Sequence, residues 1–173
     1  MAGAASPLSP RSGAWRTLVY TMVVPGTVVA VVPALILRYT RSAECLPPGA
    51  WRLLGLAPLI LGVMAYLWCA VDFVRRGLGT PNPLDPPRRL VVAGPYRWCR
   101  NPMYVAVVLM LIGECLLWPR QVMLNYLAGT LVFIALMVMA YEEPHLRRVF
   151  GDDYAAYCRS TRRFLPLPRR KQV

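Results

Sequence analysis

Acidic residues are scarce in this sequence, with eight Asp and Glu against twenty Lys and Arg, and histidine occurs once. The five cysteines (Cys45, Cys69, Cys99, Cys115, Cys158) form no CxxC pair and no regular spacing, so neither a zinc site nor a disulfide framework is predicted, and reduced thiols are expected. Gly77 and Gly79 make a lone GxG followed by prolines and not a helix, so a Rossmann dinucleotide site is not supported. Charge of either sign is thin at 16% of the chain, whereas 57% is hydrophobic and the mean hydropathy is +0.42. The apolar residues gather in runs instead of at the spacing of a soluble helix or strand, as in bilayer-spanning proteins.

A net charge of +12 on a soluble domain would suggest nucleic acid. Here the cations flank apolar runs, where they set orientation and attract anionic headgroups, so a lipid bilayer and no nucleic acid is the expected partner. Four runs emerge in 173 residues: Thr17 to Leu37, Trp51 to Phe73, Met103 to Trp118 and Val122 to Tyr141. Each is within or close to the length a bilayer requires, the third being short. Only Pro119 to Gln121 separate the last two, which predicts a tight antiparallel hairpin. Pro25, Pro33 and Pro58 lie inside runs and are read as kinks, since membrane helices tolerate proline. With four spans, sixteen of the twenty cations share the side of the N-terminus, the second connection and the C-terminus. By the positive-inside rule that side is cytoplasmic.

Beyond the fourth run, Leu146, Phe150, Tyr154 and Tyr157 recur at helical spacing opposite Arg147, Arg148, Asp152, Asp153 and Arg159, which predicts an interfacial amphipathic helix. The fold class is therefore all-α: a polytopic integral membrane protein of four transmembrane helices with a C-terminal interfacial amphipathic helix. Residues 1–14 form a disordered tail, 15–74 the first two spans, 75–166 the region that carries the motifs, and 167–173 a basic tail. The connection from Arg75 to Asn101, rich in proline and arginine, is a stiff cationic loop, either an anion site or a solvated linker beside lipid.

Glu142 and Glu143 stand side by side before Pro144, where they repel each other beside the negative end of a helix dipole. Nearby arginines, a cation or ligand hydroxyls must offset that. Glu114 lies within the third run and is neutral, paired, functional or close to the far interface. His145 is read as a solvated residue on a short turn after the last span.

Three segments then stand out in order: GPYRWCRNPMY (Gly94 to Tyr104), YEEPHLRRVFGDDYAAY (Tyr141 to Tyr157) and RRFLP (Arg162 to Pro166). Together they resemble the isoprenylcysteine carboxyl methyltransferase and phospholipid methyltransferase superfamily, over about the C-terminal half of the chain. The resemblance implies an integral membrane enzyme that transfers a methyl group from S-adenosylmethionine to a lipophilic or lipidated acceptor, an isoprenylcysteine-type carboxylate being the best known. By position it implies a cofactor pocket of Arg100, Asn101, Pro102, Tyr104, Glu142 and Glu143, with Gly94, Pro95 and Tyr96 shaping its mouth. It also implies that Arg163 orients or neutralises an anionic acceptor. Asn101 stands where the eukaryotic enzymes have histidine, and Thr161 with Arg162 replaces the usual valine and proline. No metal is implied. A sterol-type reductase using NADPH and a non-enzymatic membrane scaffold are the alternatives.

Overall fold

The protein is described by a computed structural model over residues 23–47, 49–75, 90 and 92–165. Helix α1 runs Val23–Tyr39, and α2 covers Leu56–Arg75 behind a 3-10 turn at Ala50–Gly55. Helices α3, Pro102–Leu117, α4, Gln121–Leu136, and α5, Glu143–Ser160, follow. No strand forms among the described residues. The expected tails at 1–14 and 167–173, and most of the loop after Arg75, including Gly77 and Gly79, lie outside them.

Two helical stretches, Ala50–Asp72 and Gln121–Ser160, are long and apolar enough to cross a membrane, at 23 and 40 residues; Val23–Tyr39 and Pro102–Leu117 are apolar but shorter. The sixteen residues of α3 rise about 24 Å against a hydrocarbon core of about 30 Å. Large apolar side chains including Leu61, Met64, Leu67, Val132, Phe133 and Leu136 face outward. That outer surface suits lipid, while Tyr66, Ala106, Val107, Met110 and Leu111 form the inner core.

Two corrections to the sequence reading concern the end of α4. No turn separates it from the amphipathic segment: the chain stays helical through a π-helical turn at Met137–Glu142 straight into α5, and His145 lies on that helix. The cause is Pro144, which cannot donate to the carbonyl four residues back and whose ring would crowd it. Widening the preceding turn, with Glu143 N–H bonded to the Val138 carbonyl, moves that carbonyl aside without ending the helix. The same device precedes Pro33 in α1, where Thr27–Val31 is π-helical and Val32 N–H bonds to the Thr27 carbonyl. The second correction is that protein covers the two tyrosines on the aromatic face of α5, while Leu146 and Phe150 on that face are half-buried. Tyr154 is only 2% exposed and Tyr157 7%.

Helices α2 and α3 touch backbone to backbone. A Cβ on Gly55 would lie 2.5 Å from the Gly113 carbonyl oxygen, and one on Gly62 would lie 2.7 Å from that of Ala106. Small residues permit such approach in membrane helices. At one end of the bundle the segment after α1 lies on the α3–α4 turn: Cys45 N–H donates to the Pro119 carbonyl at 2.6 Å, and Gln121 N–H to that of Ala43 at 3.3 Å. Arg120 reaches the Leu37 carbonyl at 3.2 Å, and Arg52 pairs with Glu44 at 2.5 Å. The three sequence motifs meet at the opposite end.

Candidate functional site

Gly94 opens a 3-10 turn, Gly94–Arg97, at a φ of 61°. Two constraints select glycine: the left-handed backbone, and a neighbour, since a Cβ would sit 2.7 Å from Asp72 Oδ2 at the end of α2. Pro95 sets the next dihedral and is buried. The Tyr96 carbonyl then accepts a hydrogen bond from the Tyr157 hydroxyl at 2.6 Å, which ties this turn to α5. Burial, followed by the neighbouring Cys69 thiol and Glu142 carboxylate, keeps the Tyr96 phenol well above its ordinary range.

Next, the backbone of 99–101 runs beside that of 162–163. Arg100 N–H donates to the Arg162 carbonyl at 2.8 Å and Asn101 N–H to that of Arg163 at 3.2 Å, while Cys99 and Arg162 form a parallel bridge. The Asn101 side chain adds Nδ2 to the Arg163 carbonyl at 3.1 Å. Asn101 is therefore buried and bonded to backbone, and its amide does not cap α3 although it holds the N-cap position. Pro102 starts that helix, where its missing N–H costs nothing.

The two glutamates have different surroundings. Glu143, 6% exposed, is gripped by Arg163 through Nε to Oε1 at 2.6 Å and Nη2 to Oε2 at 2.8 Å, the bidentate arrangement of strong carboxylate recognition. Arg100 Nη1 adds a contact at 3.2 Å. Burial would raise the Glu143 carboxyl, but the Arg163 hydrogen bond and the charges of Arg100, Arg163 and Arg147 outweigh it and hold it below the usual carboxylate range. Glu142, half-buried, is pushed up by burial; a Tyr104 hydrogen bond opposes this and the Glu143 charge adds to it. Its Oε2 is shielded from solvent and has no hydrogen-bond partner, and the same holds for Arg100 Nε. Unsatisfied buried polar atoms are costly and uncommon, and a bound ligand is one explanation for them.

All ten residues that the resemblance assigned to the site thus lie at one end of the bundle, around the junction of α4 with α5. A family profile described as phospholipid methyltransferase matches residues 51–153. The chain belongs to the phospholipid methyltransferase family. That family falls within the isoprenylcysteine carboxyl methyltransferase-type superfamily. Two curated relatives are similar to this family member: the cobalt-zinc-cadmium resistance protein CzcN of Cupriavidus metallidurans, 26% identical over 156 residues, and the nickel-cobalt-cadmium resistance protein NccN of Alcaligenes xylosoxydans xylosoxydans, 26% identical over 158. Each match takes in 90% of this chain but only 63% and 64% of the respective relatives. Among the described residues no group of three or more His, Cys, Asp or Glu is placed to hold a metal ion.

For this phospholipid methyltransferase family member the structure adds residues that sequence reasoning left out. Asp72 backs the Gly94 turn, and Tyr154 approaches Arg100 Nη1 at 3.5 Å. Tyr157 clamps the Tyr96 carbonyl. The spacing of Tyr154 and Tyr157 signalled a buried face but not what would cover it, and nothing in the sequence flagged Asp72. His145 stacks on Tyr141 with ring centroids 6.3 Å apart, and its Nε2 is shielded without a hydrogen-bond partner, which corrects its reading as solvated. Glu114 sits twelve residues along α3 from Pro102, about 18 Å from the site. It is buried inside the protein near the far end of the helix.

Proposed function

We propose that this protein is a membrane methyltransferase that moves the methyl group of S-adenosylmethionine to a lipophilic acceptor arriving from the bilayer. The observation that carries this reading is Glu142, whose shielded Oε2 has no partner although Tyr104 bonds the same carboxylate. An ammonium or a ribose hydroxyl would satisfy that oxygen, and the unpartnered Nε edge of Arg100 suits a carboxylate. S-adenosylmethionine carries all three groups, so the residues present fit it. When bound, it supplies an electrophilic methyl group on a sulfonium sulfur.

The protein's own part is to bind, orient and exclude water. Glu142, Arg100 and Tyr104 hold the cofactor's polar groups, and Gly94, Pro95 and Tyr96 form the rim, backed by Asp72. Asn101 and Pro102 fix the start of α3, so that the Arg100 and Tyr104 side chains keep their positions. Tyr157, bonded to the rim, closes α5 over the site. Alignment and desolvation of this kind supply much of a transfer barrier when the nucleophile is already reactive. Arg163, 37% exposed along its side chain, stands on the acceptor side. By the cation count the motif end faces the cytoplasm, with the acceptor reaching it along the outward apolar faces of the helices.

Calorimetric titration of S-adenosylmethionine, with NADPH as comparator, into detergent-purified wild type and a Glu142→Ala/Glu143→Ala variant tests the proposal. Binding to the wild type that disappears in the variant is expected. Affinity for NADPH alone, or for neither ligand in folded protein, would overturn it.

A further inference from the structure

In the resemblance to isoprenylcysteine-type enzymes, Arg163 meets an anionic acceptor. Here its guanidinium already holds an anion. Glu143 takes Nε and Nη2 together, at 2.6 and 2.8 Å, and Arg100 shares one of the same oxygens at 3.2 Å. The backbone of Arg163 is anchored beside the site, because its carbonyl is bonded by both Asn101 N–H and Asn101 Nδ2 and its neighbour Arg162 by Arg100 N–H. Nor can Glu143 withdraw cheaply: it is 6% exposed, and stripping a buried carboxylate of its partner leaves an uncompensated charge.

We propose that Glu143 is a built-in counter-ion that fills the anion seat of Arg163, so that this site selects an uncharged lipophilic nucleophile, a phenol or a thiol, over a carboxylate. The inference rests on the methyltransferase reading for its chemistry but not for its geometry. With Glu143 holding Arg163 through two bonds and Arg100 through a third contact, an incoming carboxylate would have to compete with Glu143 for the guanidinium. A phenol or thiol needs no cation to enter. On transfer its oxygen or sulfur forms the bond to the methyl carbon as the donor's sulfur–methyl bond breaks. The electron pair of that bond stays on the donor sulfur, and the acceptor's proton passes to water.

Two probes with the same tail separate charge from lipophilicity: 4-dodecylphenol, uncharged at about pH 7.5, and 4-dodecylbenzoate, an anion there. Each is titrated into the full chain in nanodiscs, with empty nanodiscs as the partition reference. The phenol is expected to bind about ten-fold or more tightly than the benzoate, the ratio that about 1.4 kcal/mol represents. Glu143→Gln, which vacates the seat, should raise benzoate affinity relative to phenol by about the same factor. Benzoate binding as tightly as phenol in the wild type would overturn the proposal, as would a ranking that Glu143→Gln leaves unchanged. Should Glu143→Gln fail to fold, the wild-type ranking decides alone. A parallel titration with S-adenosylhomocysteine keeps the two readings apart. If that ligand does not bind while the phenol outranks the benzoate, the methyltransferase reading falls and the counter-ion stands; binding with the benzoate ranked first gives the reverse.

Discussion

Replacing Gly62 by alanine tests the backbone contact that joins α2 to α3. An added Cβ would lie 2.6 Å from Met110 Cγ, 2.7 Å from the Ala106 carbonyl oxygen and 2.9 Å from Met110 N. Two of those three atoms are backbone, so no rotamer change in α3 relieves the clash and the helices must part. Overpacking of this kind costs about 1–3 kcal/mol. Alanine also favours a helix over glycine by about 1 kcal/mol, which would mask part of the loss. Gly129 on α4, with nothing within 4 Å of an added Cβ, gains the same propensity without the clash. The difference between Gly62→Ala and Gly129→Ala therefore isolates the contact. At roughly 2–4 °C per kcal/mol for a chain of this size, thermal unfolding in one detergent should place Gly62→Ala about 2–12 °C below Gly129→Ala. Equal midpoints would refute the reasoning.

Three further outcomes follow from the site. Gly151 has φ 50° and ψ −122° within α5, a conformation that strongly favours glycine, so Gly151→Ala should destabilise by about 1–3 kcal/mol, read by thermal unfolding, although its Cβ would meet no atom within 4 Å. Tyr157→Phe removes the bond to the Tyr96 carbonyl and should cost about 1–2 kcal/mol, with weaker S-adenosylhomocysteine binding by calorimetry. Unfolding followed against pH should separate the glutamates. The Glu143 carboxyl is held below its ordinary range, so its stabilisation is full above the unfolded value of about 4.3 and is lost as pH falls through the lower folded value. The Glu142 carboxyl is raised, so its contribution is full below the unfolded value and is lost as pH rises through the higher folded one. At neutral pH Glu142→Gln should accordingly raise the unfolding midpoint and Glu143→Gln lower it; a fall in both would contradict the assignment.

Much of this arrangement can be read from the chain because the apolar runs and the short connections are local signals. The third run, expected over Met103 to Trp118, is helical over Pro102–Leu117, and the tight turn at Pro119 does bring α3 and α4 together. Helix α4 hides its true length because a proline marks a stop only where the preceding turn stays α-helical. The widened turn at Met137–Glu142 leaves no such mark. Among the described residues, neutralisation by arginine, one of the explanations open for the paired acids, is seen for Glu143 and not for Glu142. That distinction depends on Arg163, twenty residues away, returning past the bend at Gly151, and local periodicity carries no information about such a return. Helical spacing placed Tyr154 and Tyr157 on one face, but an apolar face against protein and one against lipid have the same pattern.

The glycine contacts also bear on how the molecule can move. With backbone laid on backbone, α2 and α3 behave as one stiff plate, and Asp72 and Gly94 at its edge keep a fixed distance from Arg100 at the start of α3. Helix α4 lies against this plate much less closely and turns Val132, Phe133 and Leu136 outward. The seam between α3 and α4 is thus looser than that between α2 and α3, and its two helices are joined at the Pro119 turn, which Cys45 and Ala43 pin through backbone bonds.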